Sequence, residues 1–234
     1  MIPSQQPRAW LASNARRVRV DVKVCGLMRP QDADAAARAG ASFLGVIFAA
    51  SKRQLQPSAA RDVLDGDAQR RCKRVGVFGP SSCDELLATA SAVDLDVLQL
   101  HHPPADWQQL RAAFRGEVWG VVRIAVNSPV ESHWRDWERA DGIVLDTFSR
   151  DALGGTGTTF DWAAAASTVG VERRGARLVL AGGLTPANVA TAVGVLRPHV
   201  VDVSSGVEES VGVKDHAKIA QFIAAAQAAA SSLE

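Results

Sequence analysis

Short apolar runs alternate with amphipathic stretches from Val20 to the end of the chain, and this alternation sets the predicted fold. The apolar runs are rich in Val, Ile, Leu and Phe and have the length of β-strands. The stretches between them repeat apolar residues every three or four positions, which is typical of helices packed on a sheet. The predicted strands are Val20–Leu27, Phe43–Phe48, Arg74–Phe78, Val97–Leu100, Val118–Ile124, Gly142–Asp146, Leu178–Ala181 and Val200–Ser204. The predicted helices are Arg29–Gly40, Pro57–Leu64, Cys83–Ala92, Ala105–Phe114, His133–Arg139, Phe160–Thr168, Pro186–Leu196 and Asp215–Ala230.

Regular alternation of strand and helix indicates an α/β fold with a parallel sheet. Eight such units in about 210 residues favour a single closed (β/α)8 TIM barrel over an open doubly wound sheet. No Gly-x-Gly-x-x-Gly sequence follows the first strand, which argues against a dinucleotide-binding fold. Residues 1–18 are polar, contain prolines and show no periodicity. We therefore expect a flexible N-terminal extension over 1–18 and one barrel domain over 19–232.

Charge and cysteine content narrow the class of protein. The 234 residues include 26 basic and 25 acidic side chains, a balance that attracts neither nucleic acid nor an anionic membrane. Three cysteines form no disulfide framework and favour a reducing compartment, so we expect a cytoplasmic protein. Cys72 is expected to be a buried small hydrophobe and Cys83 a surface residue at a helix start.

Three glycine-rich turns follow the last three predicted strands. They are Gly154-Gly155-Thr156-Gly157, Gly182-Gly183 and Ser204-Ser205-Gly206. Glycine lets backbone N–H groups approach an anion closely, and barrels commonly bind phosphate in the turns after strands seven and eight. Any one of these turns could serve chain reversal alone. Together they predict a phosphate site.

A thiol and a carboxylic acid end two of the predicted strands. Cys25 closes the first strand and Asp146 closes the sixth, and catalytic groups of such barrels stand at these strand ends. We expect Cys25 to act as a general base, helped by Lys23 on the same strand face, which would favour the thiolate. Asp146 would act as a general acid, with partial desolvation raising its pKa. The alternatives are a buried structural cysteine and a carboxylate that caps a loop or a helix.

Spacing alone also indicates candidate roles for other polar residues. Arg53 follows the second strand and suits a substrate carboxylate, with a solvated loop cation as the alternative. His101 ends the fourth strand and is a candidate for substrate binding. It has no partner at metal-ligand spacing, so we expect no metal and no cofactor. Lys23 and Asp202 are expected to form an ion pair in the barrel floor.

These pieces together resemble phosphoribosylanthranilate isomerase, a barrel of tryptophan biosynthesis. The motifs that carry the resemblance run through nearly the whole chain beyond the extension. They are Lys23-Val-Cys-Gly-Leu27, Ser51-Lys-Arg53, Arg74-Val-Gly-Val-Phe78, Gln99-Leu-His101, Leu145-Asp-Thr147, Gly154-Gly-Thr-Gly157 with Phe160-Asp-Trp162, Ala181-Gly-Gly-Leu184, and Asp202-Val-Ser-Ser-Gly-Val-Glu208 with Lys214-Asp215. The chain departs from the family pattern at His102, Thr158 and Val211, and none of these changes removes a proposed chemical group.

The resemblance implies a metal-free Amadori rearrangement of a phosphorylated sugar–anthranilate substrate. By that analogy, Asp146 protonates the ribose ring oxygen, Cys25 removes the proton from C2, and Arg53 contacts the anthranilate carboxylate. The resemblance also suggests a functional link to indole-glycerol-phosphate synthase. Two alternatives stay open at this point: a related sugar-phosphate isomerase of the histidine-biosynthesis type, and a non-catalytic phosphate-binding barrel.

Overall fold

Eight parallel strands close into a barrel in the computed structural model, which describes residues 19–66, 68–125, 136–148, 162 and 175–233. Each strand pairs with the next along the chain, and the eighth pairs with the first. The strands are β1 Asp21–Val24, β2 Phe43–Ile47, β3 Lys73–Phe78, β4 Val97–Leu100, β5 Glu117–Ala125, β6 Gly142–Phe148, β7 Arg177–Leu180 and β8 Val200–Val203. The predicted TIM barrel is confirmed.

Helices between the strands cover the outside of the barrel. They are α1 Pro30–Ala39, α2 Pro57–Leu64, α3 Cys83–Val93, α4 Trp107–Ala113, α5 Val189–Leu196 and α6 His216–Ser231. Short 3-10 helices span Gln69–Arg71 and Ser205–Val207. A small antiparallel hairpin follows β8 and consists of β9 Glu208–Ser210 and β10 Val213–Lys214. Among the described residues, none of the helices is both long and apolar enough to cross a bilayer.

Local sequence explains where several helices begin and end. Ser82 begins α3 with a capping box, in which its hydroxyl accepts from the Glu85 backbone N–H while the Glu85 carboxylate accepts from the Ser82 N–H. Gly40 ends α1 at a φ of 101°, a left-handed conformation that glycine adopts without steric cost. Asp215 caps α6 by accepting from two backbone N–H groups.

The strands carry apolar residues on both faces, as a parallel sheet covered by helices requires. One face of each strand packs against the helices in the larger core cluster. The other face fills the barrel with a second cluster, made of Phe43, Val75, Val97, Trp119, Val121, Val144, Val179, Ala181 and Val200. The Trp119 and Phe43 rings meet edge-on at 5.0 Å in this interior. Side chains two positions beyond these residues therefore lie on the same inner face, nearer the carboxyl end of the barrel.

The amino end of the barrel is closed by ion pairs. Glu117 lies 2.6 Å from Lys73 and 3.5 Å from Arg177, and it accepts the Trp119 indole N–H at 2.9 Å. Hydrogen bonds to Lys73 and Trp119, together with the Arg177 charge, hold the pKa of Glu117 below its usual range, although burial alone would raise it. The charged side chains at this end therefore bind one another and stabilise the barrel.

The predicted elements match the described ones in order and type, but several boundaries differ. Strand β1 ends at Val24 rather than at Leu27, and β6 extends to Phe148 rather than ending at Asp146. Helices α4 and α5 begin two or three residues later than expected, and the β9–β10 hairpin was not predicted. The expected helix His133–Arg139 lies partly outside the described residues, and Phe160–Thr168 lies outside them except for Trp162, which is helical. Cys72 is buried as predicted, whereas the surface position expected for Cys83 is wrong, because that side chain is only 5% exposed.

Candidate active site

Cys25 lies directly after β1, at the carboxyl end of the barrel. Its backbone N–H donates to the Val203 carbonyl at 2.8 Å, which continues the pairing of β1 with β8. A methyl group built on Gly45 of β2 would come within 3.0 Å of the Cys25 Sγ. The thiol therefore occupies the space that the missing side chain of Gly45 leaves free.

A buried ion pair lies beneath the thiol. Lys23 Nζ donates to Asp202 Oδ2 at 2.7 Å, and the lysine is completely buried. Register places the two residues opposite each other on β1 and β8. The predicted pair is therefore present. Asp202 Oδ1 and Gln99 Oε1 are also buried, and neither finds a hydrogen-bond partner among the residues that the structure describes.

The expected depression of the Cys25 pKa is wrong. Burial raises the pKa of the thiol, and the nearby charge of Asp202 adds to this effect. Lys23 and Lys214 both act in the opposite direction, but they do not outweigh burial. At neutral pH the resting group is thus a neutral thiol. Sequence spacing identified the cation beside the thiol correctly but could not show how completely both are removed from water.

Asp146 lies near the carboxyl end of β6 and is half-buried. It stands two residues beyond Val144, a member of the barrel interior, so its side chain shares that inner face. Its register partner on β5 is Arg123, which faces the mouth for the same reason. Cys25 and Asp146 therefore stand at the same end of one barrel. The raised pKa expected for Asp146 stays a prediction.

His101 follows β4 and meets Arg123 at the mouth. The Arg123 guanidinium lies 3.3 Å from His101 Nδ1. Burial, assisted by the charge of Arg123, lowers the pKa of His101 to about 4. The ring is therefore neutral near pH 7. Because arginine can only donate, Nδ1 must be the acceptor, and the ring proton sits on Nε2 as a donor.

Arg53 lies in the loop after β2 and is held by a residue far along the chain. Its Nε and Nη2 donate to the two carboxylate oxygens of Glu208 at 2.8 and 2.6 Å. The side chain crosses Gly26, where a Cβ atom would come within 2.7 Å of Arg53 Cδ. Gly26 also has a φ of +68°, so both the close approach and the backbone require glycine. The expected solvated alternative for Arg53 is wrong, because the residue is buried.

Two of the three predicted glycine turns lie within the described residues and adjoin each other. Gly182 and Gly183 after β7 have φ values of 84° and 66°. After β8, Ser205 and Gly206 open a 3-10 helix. A Cβ atom on Gly206 would stand 1.9 Å from the Leu184 carbonyl oxygen, so the two turns touch. Gly155, Thr156 and Gly157 lie outside the described residues, and their expected role stays a prediction.

Three residues of this site received no role from the sequence. Glu208 and Lys214 belong to the motifs after β8, but nothing in the spacing shows which side chains they meet. Arg123 had a usable signal, since it interrupts an apolar strand at an inward-facing position. Lys214 Nζ donates to the Ser204 carbonyl at 3.0 Å. A basic side chain from the hairpin therefore contacts the turn after β8.

A closed parallel barrel with polar side chains and glycine turns at its carboxyl end has the architecture of the (β/α)8 barrel enzymes. A sequence model of the N-(5'-phosphoribosyl)anthranilate isomerase family matches residues 22–225. The chain belongs to this family. The family match decides against a histidine-pathway isomerase.

Individual relatives agree with this assignment over nearly their full length. The N-(5'-phosphoribosyl)anthranilate isomerase of Thiobacillus denitrificans is 40% identical over 89% of this chain and 98% of its own. The crystal structure of the enzyme from Thermotoga maritima has a TM-score of 0.73 at 36% identity, covering 89% of this chain and 99% of that one. Another phosphoribosylanthranilate isomerase structure, with a TM-score of 0.68 at 36% identity and the same coverage, holds reduced 1-(o-carboxyphenylamino)-1-deoxyribulose 5-phosphate.

Proposed function

We propose that this chain converts N-(5'-phosphoribosyl)anthranilate to 1-(2-carboxyphenylamino)-1-deoxyribulose 5-phosphate in tryptophan biosynthesis, with Asp146 as general acid and Cys25 as general base. The observation that carries the assignment of roles is the placement of both groups at the carboxyl end of one barrel. The family name and the product analogue held by a relative support the substrate.

Asp146 and Cys25 transfer two of the protons that move in the reaction. Asp146 protonates the ribose ring oxygen, and the C1–O bond breaks to give an open-chain Schiff base. The Cys25 thiolate then removes the proton from C2, and the electron pair flows to the imine nitrogen to give an enolamine. In the tautomerisation that follows, the enolamine loses its enol O–H proton and gains a proton at C1, which gives the ketone. The pair is restored when Cys25 gives up a proton and Asp146 regains one. No electron donor or acceptor outside the substrate is consumed.

The acid–base pair must carry one proton in its active form, on Asp146 rather than on Cys25. The raised pKa of Cys25 keeps the thiol neutral at rest, so the thiol must give up its proton before it can act as the base. Lys23 and Lys214 both lower the pKa of Cys25 and therefore stabilise the thiolate once it forms.

The remaining groups would bind the two ends and the middle of the substrate. Arg53 suits the anthranilate carboxylate, and the turns at Gly182, Gly183 and Ser204 to Gly206 suit the phosphate, together with Gly155, Thr156 and Gly157. His101 presents a neutral Nε2–H donor. The buried acceptors Gln99 Oε1 and Asp202 Oδ1 have hydrogen-bonding capacity that ligand hydroxyls would satisfy.

The test is turnover of freshly prepared phosphoribosylanthranilate, followed by its fluorescence change in the presence of a chelator. We expect conversion by the unchanged protein and a loss of roughly a hundredfold or more in kcat for Cys25→Ala and for Asp146→Asn. Cys72→Ala is the matched control, because it removes another buried thiol far from the mouth and should leave kcat unchanged. Near-normal turnover in both site variants would reject the mechanism, and absence of conversion by the unchanged protein would favour a non-catalytic barrel.

We also propose a cytoplasmic location, supported by the sparse cysteines, which are all unpaired. A functional link to indole-glycerol-phosphate synthase follows from the proposed product, which that class of enzyme would consume. Co-purification of the two activities, or transfer of labelled product between them, would test this link.

A further inference from the structure

Arg53, Glu208 and Lys214 form a buried charged cluster beside Cys25. Glu208 Oε1 accepts from Arg53 Nε at 2.8 Å and from Lys214 Nζ at 2.9 Å, while Glu208 Oε2 accepts from Arg53 Nη2 at 2.6 Å. The three side chains are at most 9% exposed. Burial alone would raise the pKa of Glu208, but its bonds and charge contacts with the two cations hold that pKa below its usual range. The carboxylate is therefore charged.

Glu208 uses only one edge of the Arg53 guanidinium. A guanidinium presents five N–H donors. Nε and one terminal nitrogen form a side pair, and the two terminal nitrogens form an end pair. One N–H belongs to neither pair. The bonds from Nε and Nη2 occupy the side pair. The end pair, which also matches a carboxylate, is the part of Arg53 that this contact leaves for a ligand.

The charges of the cluster also favour an anion. Two cations and one carboxylate leave one net positive charge in a region removed from water. A single substrate carboxylate would neutralise it. Replacing the cluster's own carboxylate by an amide would remove the charged acceptor that orients Arg53. It would also add one net positive charge, and we expect the loss of orientation to outweigh that gain in attraction for an anion.

Lys214 ties this cluster to the turn after β8. Its Nζ donates to the Ser204 carbonyl at 3.0 Å as well as to Glu208. Its backbone N–H donates to the fully buried carboxylate of Asp32 at 3.1 Å. The cluster therefore connects Arg53 to the predicted phosphate turn through one continuous set of hydrogen bonds, anchored on α1.

We propose that Glu208 is a positioning residue that aims the end pair of Arg53 at the carboxylate of the substrate and so determines specificity for phosphorylated glycosylamines of an aromatic acid. This proposal rests on the proposed function, in which Arg53 contacts that carboxylate. Glu208 itself touches no reacting atom. Its effect is on which substrate is preferred.

Two substrates that differ in one group test the proposal. Ribose 5-phosphate condenses with anthranilate or with aniline to give glycosylamines with and without the carboxylate, and product formation from each is followed by chromatography. The measured quantity is the ratio of kcat/KM for the two substrates. We expect the unchanged protein to prefer the carboxylate by about tenfold to a hundredfold, the range typical of charged hydrogen bonds. Glu208→Gln, which keeps the size of the side chain, should reduce this ratio roughly tenfold and bring it close to that of Arg53→Ala.

Control variants separate positioning from a general loss of structure. Glu117→Gln removes another partly buried, ion-paired carboxylate at the amino end of the barrel, and it should leave the ratio unchanged. Glu208→Asp keeps the charge but withdraws it by one methylene. It should give an intermediate ratio, and it serves as the test if Glu208→Gln does not fold by circular dichroism.

The outcomes distinguish this proposal from the proposed function. Equal losses for both substrates in Glu208→Gln, with the ratio unchanged, would overturn the positioning role and leave the isomerase assignment intact. An unchanged protein that turns over both substrates equally would overturn the Arg53 contact, and with it this proposal, but not the roles of Cys25 and Asp146. Failure of the unchanged protein to convert the anthranilate substrate would overturn the proposed function itself.

Discussion

Replacing Lys23 by methionine removes one charge from beneath Cys25 while keeping the length of the side chain. The ammonium lies 2.7 Å from Asp202 Oδ2, and both groups are buried. Methionine can follow the same path through the barrel but leaves the Asp202 carboxylate without its cation. The variant therefore tests how far the buried pair stabilises the fold and tunes the thiol.

The geometry of the ion pair sets the expected loss of stability in Lys23→Met. At 2.7 Å, two unit charges attract by on the order of 6 kcal/mol at an effective dielectric constant of 20. Desolvation of both groups offsets much of this, and removing one partner of a buried pair typically costs about 3–5 kcal/mol. For a domain of this size that corresponds to a melting temperature lower by roughly 10 °C. The double variant Lys23→Met/Asp202→Leu has no unpaired buried charge. Its free energy of unfolding should therefore lie within about 2 kcal/mol of that of the unchanged protein.

The assays are thermal and denaturant unfolding followed by circular dichroism, together with the pH dependence of thiolate absorbance at 240 nm. Absorbance is compared with the matching Cys25→Ala variant, so that the other two cysteines cancel. The Cys25 pKa should rise further in Lys23→Met, because a cation that lowers it is lost while Asp202 remains. Equal stability of Lys23→Met and the unchanged protein, or a further loss of stability in the double variant, would refute the reasoning.

Three further predictions concern the mouth of the barrel. The alkaline transition in the pH profile of kcat/KM should lie above the ordinary thiol pKa of about 8.5, because burial raises the pKa of Cys25; an alkaline transition at lower pH would contradict this. Gly45→Ala should lower kcat at least tenfold, at a stability cost of about 1–3 kcal/mol, because the added methyl group lies 3.0 Å from Cys25 Sγ. Normal turnover in a folded variant would show that the thiol position is not critical. Arg123→Met should shift the His101 ring away from the Nε2–H tautomer and raise the pKa of the ring, because Arg123 both donates to Nδ1 and lowers that pKa. Nitrogen chemical shifts of the labelled ring measure the tautomer and the pKa. Unchanged shifts would show that Arg123 does not control the ring.

The barrel was predictable because its signals are local. Each strand is a short apolar run, and each helix follows with its own periodicity, so neighbours along the chain become neighbours in the sheet. The start of α5 was harder to predict from the sequence. Asn188 delays it by accepting from the Thr185 N–H and donating to the Gly183 carbonyl, which holds a turn where Pro186 suggested a helix. The strands of the β9–β10 hairpin are too short to produce a pattern.

The candidate site was predictable in position but not in its connections. Strand ends identify which residues face the mouth, as Cys25 and His101 illustrate. The contact of Arg53 with Glu208 joins residues 155 positions apart, and no local pattern encodes it. The depth of burial, which raises the Cys25 pKa despite Lys23, is likewise a property of the assembled barrel.

The contact between Gly206 and the Leu184 carbonyl limits how this scaffold can change. With only 1.9 Å available to a Cβ atom there, any side chain at position 206 would push the Leu184 turn out of place. Position 206 and the loop that carries Leu184 must therefore be altered together, whether by natural drift or by an engineer who wishes to accept a different sugar. Libraries that vary position 206 while holding the seventh loop fixed would sample mainly displaced loops.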